Sequence, residues 1–147
     1  MKNKKIEITI TQQDVDSYNK MYFDSHPRAK KRRIEGPYHP TLNWYMNANN
    51  LSVNNKKQDW KNFIIYILKD RGLLGMSIQK CKVEYRTYLK QRRKRDVDNI
   101  TPKFIFDGLV EGQFIVADDI EHVVELTTSG GYDKENPRIE LIFTILE

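Results

Sequence analysis

Asp96 and Asp98 stand either side of Val97, and in an extended segment both carboxylates project to one face while Val97 projects to the other. Two carboxylates brought together repel unless protons or cations neutralise them. The pair is therefore a candidate site for a hard divalent cation such as Mg²⁺, which prefers oxygen ligands at about 2.0 to 2.1 Å, with Mn²⁺ as the alternative. A second acidic pair, Asp118-Asp119, follows the segment GQFIVA. Adjacent strand residues face opposite ways, so Asp119 is expected to face the metal directly and Asp118 to assist. If the intervening helix folds back, the second pair returns to the strand end that carries Asp96. Three or four carboxylates around one or two ions can activate water and stabilise both the attacking and the leaving oxygens of a phosphodiester. A DxD pair alone also caps helices and forms turns, so its reading depends on its neighbours.

Those neighbours are basic. Lys103 lies one helical turn before Asp107, and Glu111 extends the same face. The plain reading is a surface ion pair; the chemical one is that Lys103 meets the developing charge of a scissile phosphate while Asp107 orients it. The run Lys90 to Arg95, KQRRKR, stands directly before the first acid. Arg92, Arg93, Lys94 and Arg95 are thus expected to grip backbone phosphates. A second basic segment, with Arg28, Lys30, Lys31, Arg32 and Arg33, lies in a loop near residues 26–40 and is a further candidate DNA contact.

The charge balance of the chain follows the same division. Residues 1–95 carry 22 Lys or Arg against 8 Asp or Glu, whereas residues 96–147 carry 3 against 12. A basic surface attracts a polyanion, and an acidic centre tolerates that polyanion when cations sit between them. At 147 residues with one cysteine the chain reads as one compact domain, residues 1–147, that needs no disulfide. The single Cys81 and three scattered histidines, His26, His39 and His122, exclude a Cys/His zinc cage. With no apolar segment resembling a signal peptide or a membrane span, a reducing cytoplasm is the expected compartment.

The elements that must position these groups are partly legible. Lys5 to Ile10 and residues 80–90 alternate apolar and polar side chains as half-buried strands do. Residues 55–71 place Trp60, Phe63, Ile64, Ile67 and Leu68 at helical spacing. Residues 12–23 suggest a short helix without a convincing cap. Thr101 as N-cap and Pro102 at the first helical position open a helix ending at Gly112. Two more strands, near Glu121 to Thr128 and Arg138 to Leu146, flank a turn at Gly130-Gly131. The fold class is α/β, a mixed α+β domain with a mixed sheet and two or three helices.

The segment from Arg95 to Val123 resembles the RusA family of Holliday junction resolvases, whose pattern runs DxDN, a lysine, a DAL-like helical turn and a DD pair. HPTLNWYMNANNLSVNNKKQDWKNFI also looks like the family's segment of Pro and Leu-Asn followed by a basic, Trp-containing helix. The resemblance implies a small α/β homodimer, phage-associated or prophage-borne, that acts in DNA recombination and repair. Such an enzyme cuts four-way junctions by Mg²⁺-dependent hydrolysis, nicking two strands symmetrically. Carried over residue by residue, the metal-binding acids fall on Asp96, Asp98 and Asp119, with Asp118 beside them, and the catalytic lysine on Lys103. The lysine comes one residue later after DxD than in the family's pattern, and Pro102 accounts for this by starting the helix later. Two other readings use the same residues. One is a module that binds branched or single-stranded nucleic acid without cutting, stacking bases on Tyr38, Trp44 and Tyr45; the other is a DxD phosphotransfer enzyme, which no Gly-rich phosphate loop supports.

Overall fold

The computed structural model describes residues 4–146. Strand β1 (Lys5–Thr11) runs directly into helix α1 (Gln12–Ser25), and the junction is a capping box. The Thr11 hydroxyl accepts from the Asp14 N–H while the Asp14 carboxylate accepts from the Thr11 N–H. This cap was not expected from the sequence; the helix starts at residue 12 as read and runs two residues beyond residue 23. Loop 26–41 leads to a short helix α2 (Leu42–Asn47) and a long helix α3 (Asn50–Asp70). Strand β2 (Cys81–Leu89), helix α4 (Lys103–Glu111), strand β3 (Val123–Tyr132) and strand β4 (Arg138–Ile145) follow. The mixed α+β class holds, with four α-helices where two or three were expected.

The sheet order is β1-β4-β2-β3. β4 is antiparallel to both β1 and β2, whereas β3 runs parallel to β2. A parallel pair needs a crossover, and α4 supplies it. Along β2 the residues Cys81, Val83, Tyr85 and Thr87 are buried, and they meet Ile139, Leu141 and Phe143 of β4 and Trp60, Phe63, Ile64 and Ile67 of α3 in one core. The opposite sheet face carries Arg86 paired with Glu84 (2.8 Å) and Arg138 paired with Glu140 (2.8 Å). The helices α3 and α4 pack tightly because position 108 is glycine: a Cβ there would stand 2.5 Å from Ile64 Cβ.

One expectation about the sheet is corrected. Gly130 and Gly131 lie inside β3, not in a turn between strands. Ile100 and Tyr88 crowd them, at 3.1 and 3.3 Å from where side chains would begin. The basic loop is exposed only in part: Arg28, Lys30, Lys31 and Arg32 are exposed, while Ile34, Gly36, Pro37 and His39 are buried. The buried Asn19 side chain of α1 clamps it, donating to Ile34 C=O (2.8 Å) and accepting from the N–H groups of Arg33 and Ile34.

Candidate active site

The DxD segment is not extended. Val97–Asn99 forms a single 3-10 turn with Asp96 at its N-cap, closed by the Asn99 N–H on Asp96 C=O (3.0 Å). Asp98 therefore sits inside the turn, and Val97 is 56% exposed where alternation would have turned it inward. Asn99 sets this arrangement, because its side-chain oxygen accepts from the Asn43 N–H (2.8 Å) and ties the turn to α2. Asp96 and Asp98 are exposed, and no ion pair or side-chain hydrogen bond engages their carboxylates among the described residues.

Helix α4 begins at Lys103 with Pro102 at the N-cap, one residue later than Thr101 as cap would give. Proline offers no side-chain acceptor, so the first turn needs one from elsewhere. His39 provides it: its Nε2 accepts from the Phe104 N–H (2.9 Å) while Nδ1 donates to Pro40 C=O (2.7 Å). That pattern requires the neutral ring. Burial pushes the His39 imidazole down to about 3, against the opposing hydrogen bond to Pro40. The sequence reading missed this role, since a histidine between prolines carries no signal for a helix start far along the chain.

Lys103 is exposed, and its ammonium stands over the Tyr45 ring, 5.2 Å from the centroid. It forms no ion pair with Asp107 among the described residues. Burial raises the Asp107 carboxyl above the ordinary range; Lys57, Lys103 and Lys61 oppose the rise, and Asp118 adds to it. Asp107 thus shares its surroundings with Lys57, Lys103 and Asp118, a mixed cluster on the α3–α4 surface. Lys61 joins it by pairing with Glu111 at 3.9 Å.

Asp118 and Asp119 are exposed in the turn before β3. The Asp119 Oδ1 accepts from His122 Nδ1 (2.6 Å) and from the N–H groups of Glu121 and His122. The His122 ring, helped by those amides, holds the Asp119 carboxyl below its usual range. This local clasp, absent from the sequence reading, fixes one oxygen and leaves Oδ2 without a partner among the described residues.

The two acid pairs occupy opposite ends of the β2–β3 ladder. The Cys81 N–H donates to His122 C=O (2.8 Å), so Asp118-Asp119 precede the first pair of the ladder. The 3-10 turn packs at the far end, where Ile100 meets Gly130 and the Tyr132 hydroxyl donates to Arg93 C=O. From Val123 to Gly130 a strand extends roughly 23 Å at about 3.3 Å per residue. The α4 crossover does not bring the second pair to the strand end that leads to Asp96, and among the described residues no three His, Cys, Asp or Glu side chains gather to hold a metal.

The basic candidates divide by partner. Arg92, Arg93, Lys94 and Arg95 are exposed next to the DxD turn, with Arg92 over the Tyr132 ring at 5.5 Å. Arg28, Lys30 and Lys31 are exposed too. Arg32 is paired with Asp16 (2.7 Å), and Arg33 lies on the Tyr22 ring at 4.4 Å. The aromatic trio also divides: Tyr45 packs on Phe104, whereas Tyr38 and Trp44 line an open cleft.

A family model described as endodeoxyribonuclease RusA matches residues 1–143 of the 147-residue chain. No curated protein matches the chain. The match is to nucleases, which sets aside the non-cutting module and the DxD enzymes of other classes. No helix among the described residues is long and apolar enough to cross a membrane.

Proposed function

The chain belongs to the RusA family of endodeoxyribonucleases, and we propose that it resolves four-way DNA junctions in recombination and repair as a homodimer whose acid pairs meet across the two-fold axis. The separation of Asp96 and Asp98 from Asp118 and Asp119 along β2–β3 carries this reading. β3 is a sheet edge, paired only with β2, and its side chains are largely exposed. A two-fold copy laid antiparallel along that edge would bring one protomer's Asp118-Asp119 toward the partner's DxD turn. Isologous pairing of this kind makes two equivalent sites, matching the two symmetry-related strands of a junction.

The donor set suits Mg²⁺ or Mn²⁺. Among the described residues, Asp96, Asp98 and Asp118 keep their carboxylate oxygens unengaged, and Asp119 keeps one. Mg²⁺ is usually held by one or two carboxylates plus substrate phosphates rather than by an all-protein cage, so oxygens of the DNA would be expected among its ligands. When bound, the ion supplies Lewis-acid activation of water and of the phosphodiester. Asp96, Asp98, Asp118 and Asp119 would supply the carboxylates that hold it. Lys103, at the first residue of α4, offers its ammonium to the charge that develops on the scissile phosphate. The segment from Arg92 to Arg95 grips the flanking phosphates and fixes register.

Subunit mixing tests the shared site. Asp98→Asn and Asp119→Asn homodimers should both fail to cut a synthetic junction with Mg²⁺. Their doubly tagged heterodimer should nick one strand of each junction, because one composite site then contains only wild-type acids. An equally inactive heterodimer would place both pairs in one chain's site and overturn the shared arrangement, and cutting that persists in EDTA would overturn the metal dependence.

A further inference from the structure

We propose that the cleft between Tyr38 and Trp44 receives one unpaired nucleobase of the DNA beside the cleavage site; this rests on the junction-cutting reading above. The cleft has a volume of about 230 Å³ and is lined by Glu35, Tyr38, Thr41, Trp44, Lys56 and Arg95, among others. Sites for drug-sized ligands run to roughly 300–1,000 Å³, so this one suits a single ring system. Its walls are aromatic and its charge is cationic, the combination that holds single-stranded nucleic acid.

Each aromatic wall is held by its neighbours. Tyr38 lies against the backbone of Gly36, where a Cβ would meet its Cε1 at 2.6 Å, yet the residue remains 47% exposed. The ring is thus packed on the Gly36 side and open elsewhere. The Thr41 hydroxyl caps α2 by accepting from the Trp44 backbone N–H (3.2 Å), and the Trp44 ring makes edge contact with Phe104. Lys56 stands over the Trp44 ring at 5.9 Å, where a flexible ammonium can move to the phosphate of an incoming nucleotide. Glu35 adds a carboxylate able to accept from a base-edge N–H.

Position supplies the rest of the argument. Tyr38 and Arg95 also line an adjoining cleft of about 320 Å³ together with Lys90, Gln91 and Arg93. A strand whose phosphates follow the basic segment therefore passes Tyr38 before its next base reaches Trp44. The cleft is fixed relative to the DxD turn by the Asn43–Asn99 bond and relative to Lys103 by the His39–Phe104 bond. Extruding a base costs less where it has already lost a stacking neighbour, and the base pairs at the crossover of an open four-way junction stack on one side only.

The test uses the full-length protein, EDTA to prevent cutting, and fluorescence anisotropy on a four-way junction. A series of junctions each carries one abasic position around the crossover. Trp44→Ala and Tyr38→Ala should each weaken junction binding about tenfold, within the range for losing one aromatic stacking partner, while Trp44→Phe and Tyr38→Phe stay near wild type. One abasic position should weaken wild-type binding to a similar degree and cost Trp44→Ala nothing further. If a folded Tyr38→Ala protein binds as wild type does, or if no abasic position matters, the proposal is wrong. A change in oligomeric state in the alanine variants would assign the cleft to a protein contact and also overturn it. Wild type that neither binds nor cuts the junction would instead reject the underlying reading.

Discussion

At Lys103 the consequence of a single side chain can be separated from that of the helix carrying it. Its ammonium stands on the Tyr45 ring and its helix position is fixed through the backbone of its neighbour Phe104. Lys103→Ala should slow junction cutting by about 10² to 10³-fold, the effect of losing one preorganised donor to developing charge, while junction affinity in EDTA stays nearly unchanged. Tyr45→Phe, which keeps the ring face, should cut at close to the wild-type rate. Single-turnover cleavage and anisotropy check both, and an unaltered rate for Lys103→Ala would remove it from the reaction. These residues stood out as candidates because DxD, DD and the intervening lysine are short patterns along the chain. Their partners were not. Asp107 looked like the partner of Lys103 from i,i+4 spacing, but Tyr45 lies on a different helix and only folding brings it near. The clasp of Asp119 by His122 is local, three residues apart, and the segment DDIEH held that signal.

Among the elements, α4 has the most unusual start, because its first-turn acceptor is a buried histidine from loop 26–41. Neutral His39 accepts the Phe104 N–H; protonated, it cannot. With its folded-state pKa lowered to about 3 by burial, and an ordinary value near 6.5 when unfolded, the unfolded chain binds the proton more readily. The contribution of His39 is therefore fully present above pH 6.5 and is lost as pH falls toward 3, by a few kcal/mol at about 1.4 kcal/mol per pH unit. Urea unfolding at pH 7.5, 5.5 and 4.5 should show wild type losing this share while His39→Gln, which can still accept but does not titrate, loses less over that interval. Equal losses in both proteins would locate the acid sensitivity elsewhere. Strands β2 and β4 and the core of α3 could be read from periodicity because one face of each packs against the core. β3 misled for the opposite reason: it is an exposed edge with glycines where Ile100 and Tyr88 leave no room for side chains. The start of α1 at residue 12 was legible, and its capping box stood in the sequence as Thr11 and Asp14 without being recognised.

Over the whole molecule, the excess of cations before residue 96 and of anions after it becomes a spatial arrangement rather than a separation of two halves. The basic segment from Arg92 to Arg95 adjoins the DxD turn, while Asp118 and Asp119 lie at the other end of the same ladder. A polyanion approaching the first region gains from counterion release, about 0.9 unit of slope in log K against log salt for each duplex phosphate neutralised. Cations already committed within the protein contribute less. Arg93→Gln and Lys94→Gln should each reduce the magnitude of that slope by about 0.9, and the loss of affinity should be similar on junctions of different sequence because phosphate contacts carry no sequence information. Arg32→Gln should leave the slope nearly unaltered, since its guanidinium is held by Asp16 at 2.7 Å. Junction binding measured by anisotropy from 50 to 200 mM salt distinguishes the two groups. A slope that responds to Arg32 as strongly as to Arg93 would mean that DNA recruits the loop by breaking its ion pair, extending the footprint from the DxD end across α1.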